Sequence, residues 1–407
     1  MTVLLNCYTI NLGKVMEKFD IAIIGGGAAG LSCASRLSEL NKKAKITVID
    51  ACDRLGKKLA ATGNGQGNVT NVNMSSDKYF GGNKKLVENI TCSQTALSTE
   101  KNLFKCILIA DEQGRVYPGG KQASALCDSL IGDLKRANIN VKLSTKVIDV
   151  KSENGRFTLS LSNDSCVYAN YVVLCVGGKA QKQFKTDGTS YALAEKFGHK
   201  ITPLYPSLVQ LKTETKHIKT LKGIRVDCVL SAISNGKILA KKRGDLIFTD
   251  YGVSGNAVFA ISPYLVDKQN VILSIEFLPN VENIAEDIRR KKALGYDNSE
   301  LLSGTLHNQV GRAIIKRANT SDELVIAALL KNFTLPVVGS LGFDYAQVTK
   351  GGVDMKDVSE ELESKLCKNL FFAGEVLDVD GECGGYNLHW AFTSAYTVAE
   401  VISKRLK

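Results

Sequence analysis

The chain has 407 residues, a formal net charge of +11, 44% hydrophobic residues and 23% charged ones. That length and balance suit two or three packed domains and exclude a disordered or fibrous protein. No apolar run approaches the roughly 20 residues needed to cross a bilayer, so a soluble protein without membrane contact is expected.

Residues 1–18 read as a loose extension with Met16 as an alternative start. Before Met16 the only charge is Lys14, and the short apolar stretch is broken by Asn6 and Thr9, which is unlike a secretion signal. Eleven cysteines are present, but the closest pair, Cys166 and Cys175, lies nine positions apart. With no C-x-x-C there is no local zinc knuckle or redox dithiol, and no metal is expected. A chain this large needs no disulfide framework, and a cytoplasmic location follows from the cofactor chemistry below.

The first element is a buried strand at 19–24, followed by Gly25-Gly26-Gly27-Ala28-Ala29-Gly30. In this pattern Gly25 permits a tight turn, Gly27 lets backbone approach a pyrophosphate, and Gly30 lets the helix from Ala28 to Leu40 pack on the sheet. That helix aims the N–H groups of its first turn, Ala28 and Ala29 among them, at the phosphates. Asp50, beside Ala51 at the end of a second strand at 45–49, can accept hydrogen bonds from ribose hydroxyls and would repel a 2′-phosphate. FAD or NAD fits such a site, and NADP fits it poorly.

After Asp50 come Lys57 and Lys58, then the glycine-dense run Gly63-Asn64-Gly65-Gln66-Gly67-Asn68-Val69-Thr70. Alternating glycines and polar residues predict a loop that wraps a polar ligand, through Lys57, Lys58, Asn64, Gly65, Asn68 and Thr70. Strands at 105–110 and 115–118, a helix at 121–137 and alternating runs at 142–151, containing Val147, and 156–161 continue an α/β pattern with an antiparallel hairpin. Residues 168–176 form a continuous apolar strand ending in Val176-Gly177-Gly178, as expected at the centre of a parallel sheet.

From Pro203 the pattern changes to short alternating runs at 207–211, 224–230, 237–240, 245–248 and 271–277, which predict a β-barrel or sandwich. Residues 281–332 read as helical, with apolar spacing at 301–315 and 324–330. Within 203–247 nine Lys and Arg (Lys212, Lys216, Lys219, Lys222, Arg225, Lys237, Lys241, Lys242, Arg243) face three acids. This is a candidate anion or RNA surface, but no RNA-binding motif or aromatic interleaving accompanies it, and a solvated basic face is the favoured reading over a nucleic-acid partner.

At the C-terminal end a buried strand ends in Gly374-Glu375, Asp378 follows, and Gly384-Gly385-Tyr386-Asn387 opens a last helix. Glu375 suits a ribitol hydroxyl, which FAD has and NAD lacks. The glycine turn would set helix N–H groups against the flavin edge that becomes negative on reduction. No second G-x-G-x-x-G follows a strand, so NADH or NADPH would act only as a transient co-substrate on the flavin's open face. Tyr386 and His389, on one face of the last helix, are candidates for orienting a substrate or moving a proton, as is Arg115 beside Tyr117.

From residue 19 to about 406 the sequence resembles the aminoacetone oxidase-like flavoproteins, NAD(P)/FAD-dependent oxidoreductases that include a bile-acid dehydro-steroid reductase. The most specific stretches are 56–71, 114–118, 244–255, 346–353 and 372–391. The resemblance implies a split two-dinucleotide-type, Rossmann-like FAD-binding domain with an inserted β-barrel and a small helical subdomain. The expected divisions are 19–202 and 346–407 for the two parts of the FAD domain, 203–280 for the barrel, 281–333 for the helices and 334–345 for the return strand. Where the family usually has Gly-Gly-Gly-Arg-Cys-Asn this chain has Gly63-Asn64-Gly65-Gln66-Gly67-Asn68, so an arginine and a cysteine near the flavin are missing. The expected activity is exchange of a hydride between flavin N5 and a small organic substrate of the amine, ketone or enone class. The alternatives are a flavoprotein acting on RNA through its basic insert, and a redox-silent FAD binder.

Overall fold

A computed structural model describes residues 17–92 and 106–406; most of the expected N-terminal extension lies outside them. The glycine-rich turn follows the strand Glu17–Ile24 and opens the helix Ala28–Leu40. The strand is parallel to Ile46–Ile49 on one side and to Cys166–Leu174 on the other. Asn140–Lys142 extends the sheet beyond Ile46–Ile49, and Leu370–Phe372 adds in parallel beside residues 172–174. The antiparallel hairpin Val147–Glu153 and Arg156–Leu161 joins through the start of Cys166–Leu174, completing seven strands. Val172, Val173 and Leu174 are fully or almost fully buried, as a central strand covered on both faces requires.

The chain's last helix, Tyr386–Arg405, packs along Ala28–Leu40. Buried small residues on both, including Ala29, Ser32 and Ala34 on the first and Ala391, Ser394 and Ala395 on the last, allow this approach. Arg36 reaches across to Glu400 at 2.7 Å and stacks on the Tyr396 ring. Two distant parts of the chain therefore build one Rossmann-type unit.

The intervening segment forms a closed six-stranded barrel of Leu211–Thr213, Gly252–Ser254, Lys237–Phe248, Arg225–Ser234, Val271–Glu276 and Phe333–Ser340. Along Arg225–Ser234 the inward residues Cys228, Leu230 and Ala232 are fully buried. The helices Ile284–Ala293, Asn308–Ala318 and Glu323–Lys331 share the barrel's core through Ile288, Ile314 and Leu330.

Several local expectations are revised. The two runs at 237–240 and 245–248 are one strand, because Lys241, Lys242 and Arg243 each find an acidic partner and Gly244 lies against Ala257. The helix expected at 301–315 begins only at Asn308, after His307 caps it by accepting from the Gln309 N–H. Within the glycine-dense loop, Lys57–Ala61 is a short helix and Thr62–Gly65 a 3-10 turn in which Gly63 and Asn64 are left-handed.

A β-carbon at Gly30 would lie 1.8 Å from the Gly25 carbonyl oxygen, so no side chain fits there. Gly30→Ala should cost about 3 kcal/mol of unfolding free energy, measurable by denaturant titration, because it forces the helix off the strand.

Candidate active site

A long cavity crosses the ends of the parallel strands, bounded at one end by Gly25–Ala29 and Asp50 and at the other by Val379 and residues 382–385. Asp50 is oriented by the turn it follows: its Oδ2 accepts from the Gly26 N–H at 2.5 Å and its Oδ1 from the Cys52 N–H at 2.6 Å. Gly27, the residue before the helix, has φ −80° and provides no side-chain cap. A β-carbon there would have no atom within 4 Å. Neither backbone conformation nor packing demands glycine at 27, whereas a pyrophosphate approaching the bare helix N-terminus does. These residues fit the adenosine and pyrophosphate half of FAD.

Halfway along, Glu375 pairs with Lys58 Nζ at 2.8 Å and accepts from the Thr349 N–H at 2.9 Å. The expected ribitol carboxylate is thus held by two segments that meet only in the fold. Lys58 brings a cation into the cavity although the loop arginine is absent. The Tyr191 hydroxyl, close enough to feel Glu375 and Asp378, is buried without a hydrogen-bond partner among the described residues. Burial and those two carboxylates push its pKa up, so it is a donor at neutral pH.

At the far end Gly385 must be glycine, since a β-carbon would lie 2.3 Å from the Thr70 carbonyl oxygen and its φ is +103°. In the orientation its neighbours require, the Asn68 amide donates to Thr70 O and accepts from the Gly385 N–H. Asn387 accepts from Gly381 N–H and donates to Gly381 O, both at 2.8 Å, which fixes the entry to the last helix.

The wall just before that turn is Glu382, buried and lining the cavity. Its carboxylate accepts from Tyr264 Oη and from Lys242 Nζ at 2.8 Å, both brought by the inserted segment, with Lys78 Nζ at 3.6 Å. Burial alone would raise the Glu382 pKa, but the hydrogen bonds from Lys242 and Tyr264 outweigh it and hold the group ionised below the usual carboxylate range. Burial and the Glu382 charge push the Tyr264 phenol well up.

Of the expected cofactor residues, Gly25, Gly27, Ala28, Ala29, Asp50, Ala51, Lys57, Lys58, Asn64, Asn68, Val147, Val176, Gly177, Glu375, Gly384, Gly385 and Asn387 line the cavity. Gly30, Gly65, Thr70, Gly178, Gly374, Asp378 and Tyr386 are not among the lining residues. Gly178 and Gly374 serve close packing against Thr349 and Ala29, and Asp378 lies beside Gly81.

The three candidates for chemistry also sit elsewhere. His389 is fully buried, with Nδ1 on Thr70 Oγ1 at 3.0 Å and Nε2 on the Thr91 carbonyl at 2.8 Å, so both ring nitrogens are used structurally. Tyr386 is buried with its hydroxyl toward Asn73 O, and the Arg115 guanidinium is bound to Asp111 through Nε at 2.7 Å. Glu382, Leu208 and Gln347 at the site, and the Tyr264 and Lys242 that bond Glu382 from outside the lining, were not anticipated. Glu382 had a local signal, an acid two residues before the glycine pair, but the others come from the borders or interior of the insertion.

The basic stretch is largely compensated. Lys222 pairs with Asp250, Arg225 with Asp245, Lys241 with Glu276, Lys242 with Glu382 and Arg243 with Asp227. Among the described residues no helix is long and apolar enough to cross a membrane, and no cluster of His, Cys, Asp and Glu has the arrangement of a metal site.

The model of the HI0933-like protein Rossmann domain matches residues 19–401. The chain is 30% identical to a 3-dehydro-bile acid delta(4,6)-reductase of Clostridium scindens, over 95% of this chain and 99% of that one. It is 28% identical to a ribosomal RNA dihydrouridine synthase of Escherichia coli, over 95% and 98% respectively. The fold is similar to that of a 3-ketosteroid-delta4-(5alpha)-dehydrogenase from Rhodococcus jostii, with a TM-score of 0.55, 13% identity, and coverage of 97% of this chain and 99% of that one.

Gly27→Ala should leave the FAD-free protein as stable as the wild type while weakening FAD binding about ten- to a hundredfold, the equivalent of 1–3 kcal/mol of overpacking; fluorescence titration with FAD measures it. A second expectation concerns Asp380, whose pKa burial raises from 3.8 to about 7 against the opposing charge of Lys350. Between those values the folded chain keeps a proton that the unfolded chain releases, so stability falls as pH rises through this window. Asp380→Asn should flatten that slope in denaturant midpoints measured across it.

Proposed function

The chain belongs to the HI0933-like Rossmann-domain family and is an FAD-dependent oxidoreductase, and we propose that it reduces a carbon–carbon double bond conjugated with a carbonyl group in a small organic substrate. The observation that carries this reading is the cavity wall at 382–385, where a glycine turn suited to a flavin follows Glu382, which Tyr264 and Lys242 of the inserted segment hold from behind the lining. The names of both relatives support it: a delta(4,6)-reductase and a dihydrouridine synthase each imply saturation of a ring double bond.

FAD held here and reduced would supply a hydride equivalent to the β-carbon, leaving the α-carbon in need of a proton. Tyr264, kept protonated by burial and by Glu382, stands behind this wall and is the proposed source of that proton, relayed by the Glu382 carboxylate that lines the cavity. Lys242, 5.1 Å from the Tyr264 ring centre, favours the phenolate left behind. Lys58 and Glu375 would hold the middle of the cofactor, and the uncapped start of the last helix would offer N–H groups to the flavin edge that becomes anionic on reduction. NADH or NADPH is the proposed electron donor, acting from solution because the chain carries only one dinucleotide fingerprint.

The test is anaerobic stopped-flow. Enzyme reduced by NADH or by light should be reoxidised by cyclohex-2-enone, and Tyr264→Phe should slow reoxidation about a hundredfold with photoreduction unchanged. No reoxidation by any 2-enone would remove the double-bond reading, and an unchanged rate in the variant would remove Tyr264.

A second reading, favoured by the dihydrouridine synthase relative, takes the double bond to be that of uridine in RNA. It predicts dihydrouridine in ribosomal RNA incubated with the reduced enzyme. Lys212, Lys216, Lys219 and Lys237, which lack acidic partners among the described residues, would then set a salt dependence lost on their neutralisation.

A further inference from the structure

Leu208 lines the cavity, is 3% exposed and has a φ of +52°, a conformation that leucine rarely adopts. The neighbouring segments impose it. Ser207 Oγ donates to Asp380 Oδ2 at 3.1 Å, tying the preceding residue to the last part of the Rossmann unit. The Val209 N–H donates to Ser262 Oγ at 3.0 Å, tying the following residue to the barrel side, and Leu208 O accepts from the Gln347 N–H at 3.1 Å. Glycine would meet the same backbone requirement without steric cost, so the leucine side chain must be used for something.

Core packing is not its whole use. Leu362, at φ +63°, is likewise left-handed but belongs to the main hydrophobic core, whereas Leu208 joins none of the core clusters. It faces the cavity instead. The bond from Ser207 to Asp380 places it at the end formed by Val379 and Glu382, away from Asp50.

We propose that Leu208 is a specificity-determining residue, the apolar wall against which the ring of the substrate is held at the flavin end of the cavity. This rests on the double-bond reading above. An apolar residue at the end of the cavity that also carries Glu382 orients a ring with its hydrocarbon face toward Leu208 and its polar edge away from it. It also keeps water from the carbon that receives the hydride.

The experiment compares wild type with Leu208→Gly and with Leu208→Asn, which tolerates the left-handed region and keeps the test open should the glycine variant fold poorly. Removing the side chain should leave the thermal midpoint unchanged or raised and increase iodide quenching of bound FAD fluorescence. It should also shift the kcat/KM ratio between a steroid 4-en-3-one and cyclohex-2-enone by about tenfold. A lowered midpoint with unchanged quenching and unchanged ratio would overturn the proposal and make Leu208 a packing residue. If the wild type reduces neither enone, the double-bond reading fails, while unchanged quenching in both variants would separately remove Leu208 from the wall.

Discussion

Everything in the cofactor half of the molecule hangs on the contact between Gly30 and the Gly25 carbonyl, where a β-carbon would approach to 1.8 Å. That approach seats the first helix directly over the end of the first strand and aims its uncapped N-terminus across the sheet. The last helix can then lie along the first one, because small side chains leave room. Trp390 donates to Gly374 O at 3.1 Å and Ser394 Oγ accepts from the Gly374 N–H at 2.9 Å, which ties the late strand to the same assembly. Backbone packing of this tightness costs no side-chain entropy and leaves the strand ends free for a ligand.

The other organising feature is electrostatic. A buried carboxylate is costly unless paired and hydrogen-bonded, and Glu382 satisfies that need with Tyr264 and Lys242 from the insertion and Lys78 from the Rossmann unit. The barrel is thereby joined to the turn that would face a flavin. Much of the positive charge that made residues 203–247 look like an anion surface is spent inside the protein or on the barrel's own acids. Strand Lys237–Phe248 tolerates three successive basic residues because each has an acidic partner.

Legibility in the sequence followed the range of the interactions. The helix Ala28–Leu40 has the bounds expected of it, because a glycine turn, a helical run of small and apolar residues and a short polar exit act within a few residues. Asp50 was readable for the same reason, being set by its offset from the turn. His389 and Tyr386 misled because helical spacing places them on one face without saying which neighbours that face meets. The neighbours are Thr70, Thr91 and Asn73, and they occupy the polar atoms. The strand Val379–Gly381, which pairs with Tyr79–Gly81, is three residues long and carries no period of its own.

By itself the sequence determined a dinucleotide fold split by an insertion, because glycines, an acid at a fixed offset and alternating hydrophobicity act locally. Tertiary structure alone decided that Tyr264 and Lys242 meet Glu382, that Lys58 meets Glu375, and that Leu208 lines the cavity. Those contacts join residues far apart in the chain, and closure of the barrel against the Rossmann unit, which no local period encodes, brings Leu208 to the cofactor cavity and Tyr264 and Lys242 to the Glu382 in its wall.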